Sequence, residues 1–162
     1  SGDEITKGLI AAAGIGGVIA QRAFLAGAAG GCQAEIGSAS AMAAGAAVCL
    51  RGGDGQQIIQ AAAMALKNLL GLACDPVGGL VEVPCVKRNT IGAVGALTAA
   101  DMALAGVYSR IVPDEVIDAM RNIGIAMPAC IKETGSGGLA VTPCARSMMQ
   151  ELEKKEAVAE NC

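Results

Sequence analysis

The apolar runs of this chain are built almost wholly from small residues, as in "GLIAAAGIGGVIA" (8–20), "SASAMAAGAAVCL" (38–50) and "TIGAVGALTAADMALAG" (90–106). The hydrophobic fraction is 53%, yet there is one Phe, one Tyr and no Trp, so no bulky ring is at hand to fill space between elements. A core made this way must form by close approach of backbones, the packing that small side chains allow between helices. Gly14, Gly16, Gly17, Gly92 and Gly95, each inside an apolar helical pattern, are therefore read as contact points. Each of them weakens its helix by ~1 kcal/mol relative to alanine.

At 162 residues the chain suits one domain with a real core. Helical periodicity runs from Glu4 to about Ala29, where the glycines at 14, 16 and 17 are expected to kink or break it. A buried helix is the expectation there. A second helix spans Glu35 to about Leu50. Asp54 followed by Gln57 has the capping-box pattern for a third, ending near Leu72. "CDPVGGLVEVPC" (74–85) cannot be helical, because Pro76, Gly78, Gly79 and Pro84 interrupt it. It reads as a long ordered loop. Helices follow from Arg88 to Ala105, from Pro113 at a first-turn position, and from Pro143 behind an N-cap at Thr142. "GGLVEV" and "GLAV" are short enough to be extended pieces. The expected fold is all-α, a compact bundle of helices rich in small residues, with 1–162 as one domain and 145–162 as a last helix and frayed tail.

Several classes of function are excluded by charge and composition. A mean hydropathy of +0.51 raises the question of a membrane span. Gln21 and Arg22 answer it, since an Arg at the centre of a spanning helix costs about 2.5 kcal/mol or more. No secretory signal pattern is visible, and a cytoplasmic protein is expected. A net charge of −3 with no basic stripe argues against nucleic acid as a partner. There is no histidine, which removes the commonest general base and a common metal ligand.

Seven cysteines remain, at 32, 49, 74, 85, 130, 144 and 162. In a cytoplasmic chain they are not a disulfide framework. Cys49, in "AAGAAVCL", and Cys130, in "AMPACIK", read as small buried hydrophobes. Cys32, Cys74 and Cys85 each stand beside glycine or proline at a loop or helix end, where separate segments can converge. Three thiolates without histidine suit a soft centre, an iron–sulfur cluster or zinc, and the lack of a CxxC knuckle disfavours an ordinary structural zinc site. Scattered buried thiols are the bland alternative.

"GCQAEIGSASAMAAG", "CDPVGGLVEVPCVKRN" and "KETGSGGLAVTP", in this order, resemble the α subunit or catalytic domain of bacterial iron–sulfur L-serine dehydratases. The resemblance implies a [4Fe–4S] cluster on Cys32, Cys74 and Cys85. It also implies deamination of L-serine to pyruvate and ammonia, in amino-acid degradation that feeds gluconeogenesis. Substrate would bind the iron left open by three protein ligands, where Lewis-acid chemistry is available. A β subunit or domain is the implied partner, in an oligomer.

Candidates for the base are Glu35, Asp75 and Lys87. Asp75 is read as bonding loop amides, Lys87 and Glu35 as catalytic, and Arg88 and Asn89 as substrate-binding. The base on the partner is a further alternative. Where such proteins have a serine before the first ligand, "FLAGAAGGC" has alanines. Relatives also carry glycine-rich segments ahead of this region, so the chain looks like a C-terminal portion of the catalytic domain. Some relatives end in a cysteine shortly after "GGLAV" that reaches the open iron. Cys144 holds nearly that place and is a candidate fourth ligand, whereas Cys162 reads as a free thiol on the tail. The competing reading is a folded but inactive fragment, or a structural thiol or metal-binding helical module without substrate loops and partner.

Overall fold

A computed structural model of the chain describes residues 1–159, and Cys162 lies outside them. The described residues form an all-α structure, with α1 (Gly2–Arg22), a short α2 (Gly27–Gly30), α3 (Ser38–Leu50), α4 (Gly55–Lys67), α5 (Cys85–Leu104), α6 (Pro113–Ala126) and α7 (Pro143–Ala159). A single π-helical turn, Gln33–Gly37, leads into α3. None of the described helices is long and apolar enough to cross a membrane.

α3 is the central element. It packs against α1, α4 and α5, and α4 in turn packs against α5 and α6. Between α3, α4 and α5 the core is nearly all alanine: Ala44, Ala61, Ala65, Ala96, Ala99, Ala100 and Ala103 surround Val48 and Met64. A second cluster, on the side of α1 and α6, buries Ile19, Leu66, Val116, Ile117 and Met120. Each of these larger side chains contributes about 1.5–3 kcal/mol on full burial. The alanine layer contributes less transfer energy per residue and depends on close contact for dispersion.

Local signals placed three helix starts correctly. Asp54 and Gln57 form the reciprocal capping box of α4, with Gln57 N donating to Asp54 Oδ1 at 2.8 Å. Pro113 opens α6, and Thr142 Oγ1 accepts from Ala145 N at the start of α7.

Other expectations are corrected. α1 runs unbroken through Gly14, Gly16 and Gly17 and stops at Arg22 instead of Ala29. Arg22 reaches α6, pairing with Asp118 at 2.7 Å and Asp114 at 3.1 Å. Beyond it the single Phe, Phe24, lies against Gly30 and Gly124, where added Cβ atoms would fall 2.9 Å and 3.1 Å from its ring. Nor is α1 a buried helix: Gly8, Gly16 and Ile19 are buried, while Ile5, Leu9 and Ile10 are exposed. Of the five glycines read as contact points, Gly16 meets Met42 and Gly92 meets Ile36; Gly14, Gly17 and Gly95 face nothing.

α4 ends at Lys67, short of Leu72, because the chain turns through Gly71 at φ +82°. α5 begins at Cys85, so that cysteine belongs to a helix and not to the loop before it. "GGLVEV" and "GLAV" are not extended but hold 3-10 turns at Val77–Gly79 and Gly138–Val141. Cys130 is exposed and Cys49 is half-buried, so neither is a fully buried hydrophobe.

Candidate metal centre

Cys32 and Cys74 are brought together by the residues beside them. Gly31 adopts φ +78°, and a Cβ there would lie 2.8 Å from the Leu72 carbonyl. That close approach lets Gln33 N donate to Leu72 O at 3.0 Å. The Gln33 side chain, wholly buried, accepts from Gly71 N at 2.9 Å and donates to Met120 O at 3.0 Å. One glutamine thus ties the first ligand segment to the second and to α6. The second is held from its far side as well: Cys74 N donates to Ile131 O at 2.9 Å, and Cys74 O accepts from Glu133 N at 2.7 Å.

The Cys32 and Cys74 sulfurs and a Glu35 carboxylate oxygen all lie within 4.8 Å of one another. Both cysteines are buried; Glu35 is exposed, on the π-helical turn. Its Oε1 accepts from Gly27 N at 3.0 Å. Gly27 is a position of this corner that sequence reasoning missed, since a Cβ there would fall 3.0 Å from both the Cys74 sulfur and the Glu35 carboxylate. The signal available was a glycine just ahead of a candidate ligand.

Cys85 is buried at the first position of α5, outside that 4.8 Å group. A helix N-terminus favours a thiolate. Arg88, one turn on, donates from Nη1 to Ala73 O at 2.7 Å and to Asp75 Oδ1 at 2.6 Å. Asp75 also accepts from Leu139 N at 2.7 Å, the loop-amide bond expected of it. Lys87 is exposed and, with Leu69, Leu72, Pro84, Arg88 and Ile91, lines a groove of about 200 Å³ beside the centre. Asn89 Nδ2 donates back to Cys85 O at 2.9 Å. Cys144 is exposed in the first turn of α7 and is not part of the thiol group. All six described cysteines are free thiols.

Burial and one guanidinium set the electrostatics of the thiols. Burial pushes the Cys32 thiol up, opposed by its contacts with Cys74 and Arg88. Burial likewise pushes Cys74 far above the ordinary thiol range, with Cys32 adding to the rise. Cys85 is raised by burial, with Arg88 acting against it. For Arg88, burial acts downward, but Asp75 and the Cys32 sulfur outweigh it and the pKa is raised. A metal bound by these thiols would have to displace protons that burial makes hard to lose, so its binding would be coupled to proton release. The donor set, thiolate sulfur with no imidazole, fits an iron–sulfur centre.

The fold is a helical domain whose cysteine corner could hold a metal ion, and the comparisons make the family specific. The family model described as "Serine dehydratase alpha chain" matches residues 1–140, and the chain belongs to that family. It is 59% identical over 153 residues to a probable L-serine dehydratase, alpha chain, of Bacillus subtilis, covering 94% of this chain and 50% of that one. With the corresponding protein of Latilactobacillus sakei it shares 60% identity over 150 residues, 93% of this chain and 72% of the relative. The L-serine dehydratase alpha chain of Peptoniphilus asaccharolyticus is 47% identical over 151 residues, 93% of this chain and 52% of its own. The chain therefore spans about half to three quarters of the length of these curated relatives.

Proposed function

We propose that this chain is the part of an L-serine dehydratase α chain that holds a [4Fe–4S] cluster on Cys32, Cys74 and Cys85. The reaction is β-elimination of water from L-serine, giving 2-aminoacrylate, which tautomerises and hydrolyses to pyruvate and ammonia. The observation that carries this reading is the convergence of Cys32, Cys74 and Glu35 at one point of a chain without histidine. When bound, a cluster with three protein ligands supplies an open iron as Lewis acid, which makes the serine hydroxyl a competent leaving group.

This chain's own residues do the rest. Glu35 takes the α-proton: one oxygen is fixed by Gly27 N, which leaves the other oxygen to face the reacting carbon. Lys87 has no ion-pair partner among the described residues and lines the groove together with Arg88, where it meets the substrate carboxylate. Arg88 and Asn89 are engaged with Asp75, Ala73 and Cys85, so Arg88 contributes to substrate binding by shaping the wall of the groove and Asn89 by holding the first turn of α5. Turnover belongs to the full-length α chain assembled with a β subunit or domain in a cytoplasmic oligomer, and this segment supplies the metal centre.

Anaerobic reconstitution with iron and sulfide should give a brown chain absorbing at about 400 nm. Cys74→Ser should abolish that colour. In the assembled full-length enzyme Glu35→Gln should keep the colour and lose turnover by about 10²-fold or more. A colourless reconstituted chain would sink the cluster, and wild-type turnover in Glu35→Gln would sink the base.

A further inference from the structure

Asp75 is a buried carboxylate, 4% exposed, that neither binds metal in the reading above nor faces solvent. Its two oxygens are divided between two separate parts of the chain. Oδ1 accepts from Arg88 of α5, and Oδ2 accepts from Leu139 N, at the far end of the loop 131–139. The near end of that loop is pinned at Ile131 and Glu133 by the backbone of Cys74. Gly138 has φ +60°, and an added Cβ would overlap the Asp75 carboxylate, with Cγ at 2.9 Å. The loop is therefore clamped at both ends by two consecutive residues, Cys74 through its backbone and Asp75 through its side chain. Between the clamps it carries the Thr134 and Ser136 hydroxyls, 2.7 Å apart and exposed.

Arg88 is the other half of this joint. The same Nη1 that pairs with Asp75 also holds Ala73 O, on the opposite side of Cys74 in sequence. Side-chain exposures of 19% for Arg88 and 5% for Asp75 make this the most enclosed ion pair among the described residues. Removing one partner of such a pair leaves the other as an uncompensated charge, which costs more than the pair itself contributes.

We propose that Asp75 is a positioning residue that locks the loop 131–139 and the thiol centre into one unit, fixing Arg88 beside Cys32 and Leu139 against the residue that follows Cys74. The loop is then a wall of the metal centre, and its hydroxyls keep a constant offset from the cysteines. The inference rests on the proposed function only in taking Cys32, Cys74 and Cys85 as the working thiols.

The test needs no metal. Metal-free chain is alkylated with iodoacetamide under native conditions, and the rate at each cysteine is read by peptide mass mapping. Asp75→Asn is isosteric and keeps an acceptor for Leu139 N, so a space-filling role predicts no change. Loss of a charge-assisted bond predicts about ten-fold or more faster alkylation of Cys32 and Cys74, with Cys49 on α3 unchanged. Adding Arg88→Gln to Asp75→Asn removes the orphaned guanidinium and should restore much of the protection. Gly138→Ala approaches from the loop side, touches no cysteine of the centre, and should also speed Cys32 and Cys74. Wild-type rates in both single variants would overturn the proposal, as would an equal rise at Cys49, which marks general loosening. A chain that never takes up iron would defeat the proposed function and leave this result standing.

Discussion

The alanine layer between α3, α4 and α5 and the cysteine corner between Gly31 and Leu139 hold themselves together in opposite ways. The layer is continuous helix against continuous helix, with mostly alanine methyl groups between. The corner has less regular structure, and it depends on a few directional bonds that Gln33, Asp75 and Arg88 make to loop backbone, to α6 and to one another. Burial is non-directional and spread over many atoms, so loss of one contact is shared. A hydrogen bond to a buried loop is not shared, and its loss leaves a polar group stranded.

The widest separation of the two regions is expected with pH, since the layer contains no titratable group. In the metal-free chain the Cys32, Cys74 and Cys85 thiols are raised by burial. A raised folded-state pKa contributes stability that is complete below the unfolded thiol pKa of about 8.5 and is lost as pH rises toward the folded one. The metal-free chain should thus soften above about pH 8.5, checked by thermal melts. Metal must displace these protons, so apparent affinity should rise by up to about ten-fold per pH unit for each thiol still protonated, as measured by chelator competition. Flat affinity between pH 7 and 8.5 would mean that the thiols are already ionised.

Gln33→Leu comes next. It strands Gly71 N, at about 1–3 kcal/mol, and removes the tie to Met120 O of α6. Denaturant melts should report that loss, and metal uptake should fall with it because Cys32 and Cys74 part. Stability loss with metal uptake intact would show that the corner has a second tie. The smallest effect is expected from Ala100→Leu in the layer. Overpacking should cost about 1–3 kcal/mol and lower the melting point while the metal centre still loads. If loading failed as well, the two regions would be one cooperative unit.

Legibility in the sequence follows the same division. Asp54 with Gln57 and Thr142 announce helix starts through bonds made within three residues, Pro113 and Pro143 through a fixed φ, and the structure has them. The end of α1 was not legible, because Arg22 stops beside Asp114 and Asp118, more than ninety residues away. The end of α4 was hidden for a similar reason: Gly71 N is satisfied by Gln33 and not by another helical turn. Glycine and proline neighbours singled out Cys32, Cys74 and Cys85, whereas the exposure of Cys130 depends on how far its loop stands from the bundle. Gly27 was invisible because its importance lies in what a missing Cβ leaves room for.

The sequence by itself determined an all-helical chain with a core of small residues, no histidine, and three cysteines on segments able to leave helical geometry. Those properties follow from local backbone preference and side-chain chemistry. Only the tertiary structure decided that Cys32 and Cys74 face Glu35 across Gly27, that Cys85 stands at a helix N-terminus, and that Arg88 is held by Asp75. Each of these depends on a directional bond or a close approach between residues far apart in sequence, and no local pattern encodes such a meeting.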